Sequence, residues 1–307
     1  MFPSHALPDP GYDSFTSLPA DAEAPDDGSL SGRLRAGIVD VSADQVRAAL
    51  DALIHRRPPL PSAALCAALA AASRDGDTML HAAAAPGRKV VLDVLLDGIG
   101  TLARAGRIDP ADLRRLLCAV NGEQESALHL LAHAPGAPGL PGFRDLLMRL
   151  HDDRRLPRDD VAAVVLQDSF GETPLQMALR HGGPVAIDRT LRLFAEALTR
   201  DAITPRQVVA ALTASRTPDR GAMRRPPPLH PPFMLPEIAC IQAIVAGVDA
   251  LQRTGRMSAA DLRSGMAAAL DRGDDDALDS MDVMADRGRA RALVQAARQR
   301  WFDDPAP

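Results

Sequence analysis

Apolar residues in this chain fall in short helical runs that return at a nearly fixed interval. The phrases DGDTMLHAAA (75–84), GEQESALHLLAH (122–133) and FGETPLQMALRHG (170–182) align on Leu80, Leu128 and Leu175, spaced 48 and 47 residues apart. PPPLHPP and GDDDALDSM continue the series at Leu229 and Leu278, a further 54 and 49 residues on. A second marker keeps step with the first: an apolar residue, then Ser, Thr, Asp or Pro, then an apolar helix. Its lead residues are Leu60, Ile108, Leu156, Ile203 and Met257, at spacings of 48, 48, 47 and 54. Two unrelated markers sharing one drifting period define an internal repeat, and a repeat decides the architecture.

Each copy predicts three helices. The first starts at Ser62, Asp109-Pro110, Pro157, Thr204-Pro205 or Ser258, where a capping oxygen or a proline suits the first turn. Positions such as Leu113, Leu116, Leu117 and Val120 then follow helical spacing. A Gly-containing turn follows, then a short helix (the Leu80, Leu128 and Leu175 phrases), then a longer one, as over 89–106 and 186–198. No stretch alternates apolar and polar residues long enough for a sheet. The expected fold class is therefore all-α, a solenoid of about five long repeats. Helices within 31–57 and 290–302 would cap the two ends of a repeat domain spanning 31–302. Residues 1–30 show no periodicity and read as a disordered tail, with a second short tail at 303–307.

GDTMLHAAA and GETPLQMALRHG resemble the ankyrin repeat signature. Gly76 and Gly171 suit a tight turn, Thr78 and Thr173 a helix cap, Pro174 a first helical turn, and small Ala83 and Ala178 a close helix approach. Ankyrin units run about 33 residues, so these copies carry one additional helix each and look similar to the long-repeat ankyrin-like effectors of pathogenic bacteria. The resemblance implies that His81, His129 and His230 are structural, with Gln176 at that place in the third copy. It also implies a partner-binding concave face. The turns would contribute Arg74, Asp75, Glu123, Gln124, Asp168 and Phe170, and the short helices Leu130, His133, Met177, Arg180 and His181. On this reading Leu130, Met177 and Phe170 form an apolar centre rimmed by Arg180 and His181. Leu130 and Met177 can equally be read as core under the additional helix.

Composition narrows the function. The net charge of −5 offers no general attraction to nucleic acid, and an aromatic content of 3% gives no base-stacking platform. No run of 18 apolar residues is present, so no membrane helix is expected. Cys66, Cys118 and Cys240 are odd in number and far apart, which suits neither a disulfide framework nor a zinc motif. Lys89 is the single lysine among 35 basic residues. This is what GC-rich coding produces, and it also leaves almost no ubiquitin acceptor in a eukaryotic host. Residues 1–30 contain six acidic residues and no Lys or Arg, unlike a signal or transit peptide, and compatible with an uncleaved type III export signal.

Candidate chemistry is sparse. His129 and His133 stand i,i+4, but neither an intervening Glu nor a third ligand completes a zinc site. The acidic run 271–282 lacks the Gly and closing Glu of a calcium loop. No nucleophile elbow, P-loop or dinucleotide fingerprint occurs, so no catalytic residue, metal or cofactor is assigned. Arg225, Pro228 and Pro231 fit R-x-x-P-x-x-P within 224–232, readable as an SH3 ligand or as a Pro-rich repeat junction. The expected function is non-enzymatic protein binding, by a monomeric effector secreted from a bacterium into the host cell and acting on a host protein, without nucleic-acid or membrane binding. The alternatives are an enzyme using Asp275 and Asp276 in the degenerate copies, and a scaffold of the bacterial cytoplasm.

Overall fold

The computed structural model describes residues 30–73, 75–169, 172–213, 238–262 and 287–302. Apart from Leu30, the first residue of a helix, the N-terminal tail lies outside them. So do Leu229, His230, the 224–232 motif, the acidic run with Asp275 and Asp276, Leu278 and the residues after 302.

Among the described residues the chain is all-α, with two isolated backbone bridges and no strand. Helices α1 (Leu30–Val39) and α2 (Ala43–His55) precede the repeats. The first repeat is α3 (Ser62–Ala70), α4 (Met79–Ala84) and α5 (Lys89–Arg104). The second is α6 (Pro110–Leu117), α7 (Ala127–His133) and α8 (Leu140–Asp152). The third is α9 (Arg158–Val165), α10 (Pro174–Met177) and α11 (Gly183–Thr199), with a π-helical turn over Ala178–Gly182 between the last two. Helices α12 (Pro205–Thr213), α13 (Ile238–Arg253) and α14 (Arg287–Phe302) follow.

Helices of equal rank pack on one another from repeat to repeat. The first helices stack as α3 on α6 on α9, the short helices as α4 on α7 on α10, and the long ones as α5 on α8 on α11 on α13. Helix α1 continues the short row, against α4, and α2 the long row, against α5. The leading pair thus occupies the places of a repeat that lacks its first helix. Helix α14 covers α13 at the other end, where Trp301 Nε1 donates to Asp249 Oδ1 at 2.7 Å and Arg300 pairs with its other oxygen at 3.1 Å. The anchoring Leu80, Leu128 and Leu175 are buried between the rows, with Ala83 and Ala178. Short repeats cannot bury an apolar face alone, so this stacking supplies the core.

Polar side chains tie each repeat to the next. Arg107 Nη1 donates to the Ile54 carbonyl at 3.1 Å, and Arg155 Nη2, 48 residues on, to the Arg104 carbonyl at 2.9 Å. Each guanidinium therefore satisfies a carbonyl that a helix C-terminus leaves open, in the preceding unit. Ser62 departs from its expected role as a cap. Pro61 precedes the helix, and the Ser62 hydroxyl instead donates to Asp112 Oδ2 (2.5 Å) and accepts the Asp109 N–H (2.8 Å) in the next repeat. Asp109 likewise caps α6 by position, without a bond from its carboxylate. Thr204 and Ser258 do cap as expected, accepting the N–H of Gln207 (3.2 Å) and Asp261 (3.1 Å).

Candidate functional site

The site grows from the turns that precede the short helices. In the first repeat Ser73 Oγ accepts the N–H groups of Asp75 and Asp77, each at 3.2 Å. In the second, Asn121 Oδ1 accepts those of Glu123 and Glu125, each at 3.0 Å. A short polar side chain that gathers nearby backbone donors in this way fixes a tight turn. The chain reverses through a left-handed residue, Gly76 at φ 79° and Gln124 at φ 58°. Consecutive turns touch through backbone, with Gly122 N–H donating to the Asp75 carbonyl at 3.0 Å. A Cβ at Gly122 would stand 2.6 Å from that oxygen, and one at Gly76 only 2.7 Å from the Gly122 nitrogen.

A buried imidazole closes each turn onto its helix. Thr78 N–H donates to His81 Nδ1 at 3.2 Å, so Nδ1 is the acceptor and Nε2 carries the proton. That Nε2–H donates across the repeat boundary to the Glu125 carbonyl at 2.8 Å. In the second repeat Ser126 N–H reaches His129 Nδ1 at 3.2 Å, and His129 Nε2–H reaches the Glu172 carbonyl at 3.0 Å. The third repeat keeps the local half of the device, with Gln176 Oε1 accepting the Thr173 N–H at 2.6 Å. Burial lowers the pKa of both histidines, that of His129 to about 4, so both are neutral near pH 7. Their role is structural. Because the bonds reach into the next unit, they set the spacing between turns.

That spacing builds a cleft of about 320 Å³ between the first two repeats. Its apolar lining is Ala84, Ala85 and Pro86 from one repeat and Leu130, Ala134 and Pro135 from the next. Its polar lining is Asp75, Asp77, His81, Asn121, Glu123 and His133. Asn121 Nδ2 donates to Asp77 Oδ1 at 3.1 Å. Next to the cleft, Glu125 Oε1 stands 3.9 Å from His133 Nδ1, beyond hydrogen-bond reach. Desolvation raises the pKa of Glu125, and the neighbouring charges of Glu123, Glu172 and Asp77 push it the same way. Burial lowers that of His133, with Glu123 acting in the opposite direction. The His181 ring meets the His133 ring edge-on, 6.5 Å between centroids. Chemically the cleft offers several anionic acceptors beside apolar side chains.

Of the residues expected to bind a partner, Asp75, Glu123, Leu130 and His133 line this one cleft. Gln124, Asp168 and His181 are exposed, and Leu130 and Met177 are half-buried. Arg74 and Phe170 lie outside the described residues, as does the side chain of Arg180. Sequence reasoning missed Asp77, Asn121 and Glu125. A signal for two of them exists: Asp77, Glu125 and Glu172 each stand directly before the cap residue of a short helix, 48 and 47 residues apart. No group of three or more metal-ligating side chains forms among the described residues, and no helix there is long and apolar enough to cross a membrane. No protein-family model, no curated protein and no solved structure matches this chain.

Proposed function

We propose that this chain is a non-enzymatic protein-binding module, an ankyrin-like solenoid with long repeats whose turns and short helices hold a partner protein. The observation that carries the reading is the cleft itself. Asp75, Glu123, Leu130 and His133, which the sequence pattern puts on one binding face, come from two repeats and line one depression. Apolar and polar side chains lining one depression are what a protein interface needs, and stacked repeats present such surfaces without chemistry. The acidic, Pro- and Ser-bearing N-terminus and the single lysine support a bacterial effector exported into a host cell and acting there on a host protein.

Two measurements test this. A photo-crosslinking residue placed at position 123 should trap a defined host protein in infected cells, whereas the same residue at Arg149, on α8, should not. Equal trapping at both positions overturns the assignment of the face. Residues 1–30 fused to a reporter should be exported in a manner that depends on the secretion machinery. Retention of the reporter rejects export and leaves a scaffold of the bacterial cytoplasm.

A further inference from the structure

We propose that the cleft between the first and second repeats docks a cationic segment of its protein partner. In this arrangement an arginine or lysine lies among Asp75, Asp77 and Glu123, with an apolar neighbour against Leu130 and Pro135. The inference rests on reading the chain as a binding module and specifies the chemistry of what it binds.

Charge distribution makes the argument. On the rest of the described surface some acids are matched by the chain's own arginines, as Asp160 is by Arg114 at 3.3 Å and Glu196 by Arg144 at 2.9 Å, while others, such as Asp40 and Asp51, stand singly. The cleft instead brings Asp75, Asp77 and Glu123 together from two repeats. No lysine or arginine lines it among the described residues, and the Asp75 and Glu123 carboxylates make no ion pair there. The imidazoles that line it, His81 and His133, are pushed toward the neutral form and do not offset the acids. Burial is the main cause that raises the pKa of nearby Glu125, and the charges of Glu123, Glu172 and Asp77 add to it. That added part comes from a field that also favours a cation.

Shape selects among cations. About 320 Å³ is at the lower limit for a small-molecule pocket and matches one or two side chains. The apolar lining suits the methylene stem of Arg or Lys and a neighbouring leucine or proline. A hydrated metal ion would leave that lining uncovered, and a carboxylate-bearing ligand would meet like charge.

The test uses the full chain and a fluorescent Gly-Arg-Leu-Arg-Leu-Gly peptide, read by anisotropy at low salt. The Arg peptide should bind, and its counterpart with Glu in place of Arg should not. Asp75→Asn with Glu123→Gln should weaken binding about tenfold or more. Both positions are exposed, so the melting temperature should not move. Asp40→Asn with Asp51→Asn, exposed acids outside the cleft, should change binding by less than about twofold. Equal losses in the two double variants, or no loss in the first, overturn the site. Failure of the Arg peptide to bind the unaltered chain overturns the cationic partner. A host protein still trapped at position 123 in that case would leave the binding module standing and remove only the cation.

Discussion

His129 and Glu172 are 43 residues apart in sequence, yet the Nε2–H of one donates to the backbone carbonyl of the other at 3.0 Å inside a fully buried site. The two bonds together need a neutral imidazole, because Nδ1 must stay an acceptor for the Ser126 N–H while Nε2–H donates. Protonating Nδ1 therefore breaks the cap on one repeat while charging its boundary with the next.

Stability should fall in mild acid for this reason. The folded-state pKa of His129 is lowered to about 4 from an unfolded value of 6.5, and that of His81 is lowered in the same direction. Below 6.5 the unfolded chain takes up a proton that the folded one refuses. The contribution is complete above pH 6.5, declines through the interval down to about pH 4, and is about 3 kcal/mol for His129. Urea titrations across this range should show the loss, and His129→Gln should flatten it. At pH 7 that variant should cost about 1–2 kcal/mol, since glutamine can keep the cap, as Gln176 does, but not the imidazole bond across the boundary.

The two buried thiols of the first helices should be inert in the native state. Burial is the main cause that raises Cys66 to about 12 and Cys118 to about 11, which leaves almost no thiolate at pH 8. A colourimetric thiol reagent should react with neither until denaturant is added, and then with both. Fast reaction of either in the folded chain would show that its helix opens.

Glycine replacements should separate space from backbone conformation. Gly76 and Gly87 both lie in the left-handed region, at φ 79° and 82°. Nothing stands within 4 Å of a Cβ at Gly87, whereas one at Gly76 meets the Gly122 nitrogen at 2.7 Å. Gly87→Ala should cost about 1 kcal/mol, and Gly76→Ala about 2–3 kcal/mol because the stacked turns must part. Equal midpoints in denaturant would contradict the contact between the turns.

Ser62→Ala should destabilise by about 1–2 kcal/mol although the residue lies in the first turn of its helix. It removes the donor to Asp112 and the acceptor for Asp109 N–H together. Ser62→Thr should restore most of the loss, which a role in local capping would not require.

How much of this could be read in advance varies with the reach of each interaction. The period, the helices and the buried Leu80, Leu128 and Leu175 were legible because helical spacing and turn chemistry are local. The structural role of His81 was legible only through the resemblance of its phrase to the ankyrin signature. Ser62 was misread because its partners lie about 47 and 50 residues on, beyond what helix-start rules consider. Asp77 and Glu125 went unread because each alone resembles an ordinary polar turn residue, and only superposed copies show an acid at one register. Leu130 could be read as core or as surface, and it is half-buried, lining a depression. The π-helical turn over Ala178–Gly182 had no sequence signal beyond the Gly182–Gly183 pair that ends it.

The ties between repeats bear on how such a chain can change length. His81 and His129 reach one unit forward, and Arg107 and Arg155 one unit back. Nothing in this scheme spans two boundaries. A duplicated unit, inserted in register, would meet the same donors and acceptors on either side as the unit it copies. Recombination between copies can therefore lengthen or shorten the molecule by whole units, while a break elsewhere in the period would leave a histidine or an arginine facing the wrong carbonyl.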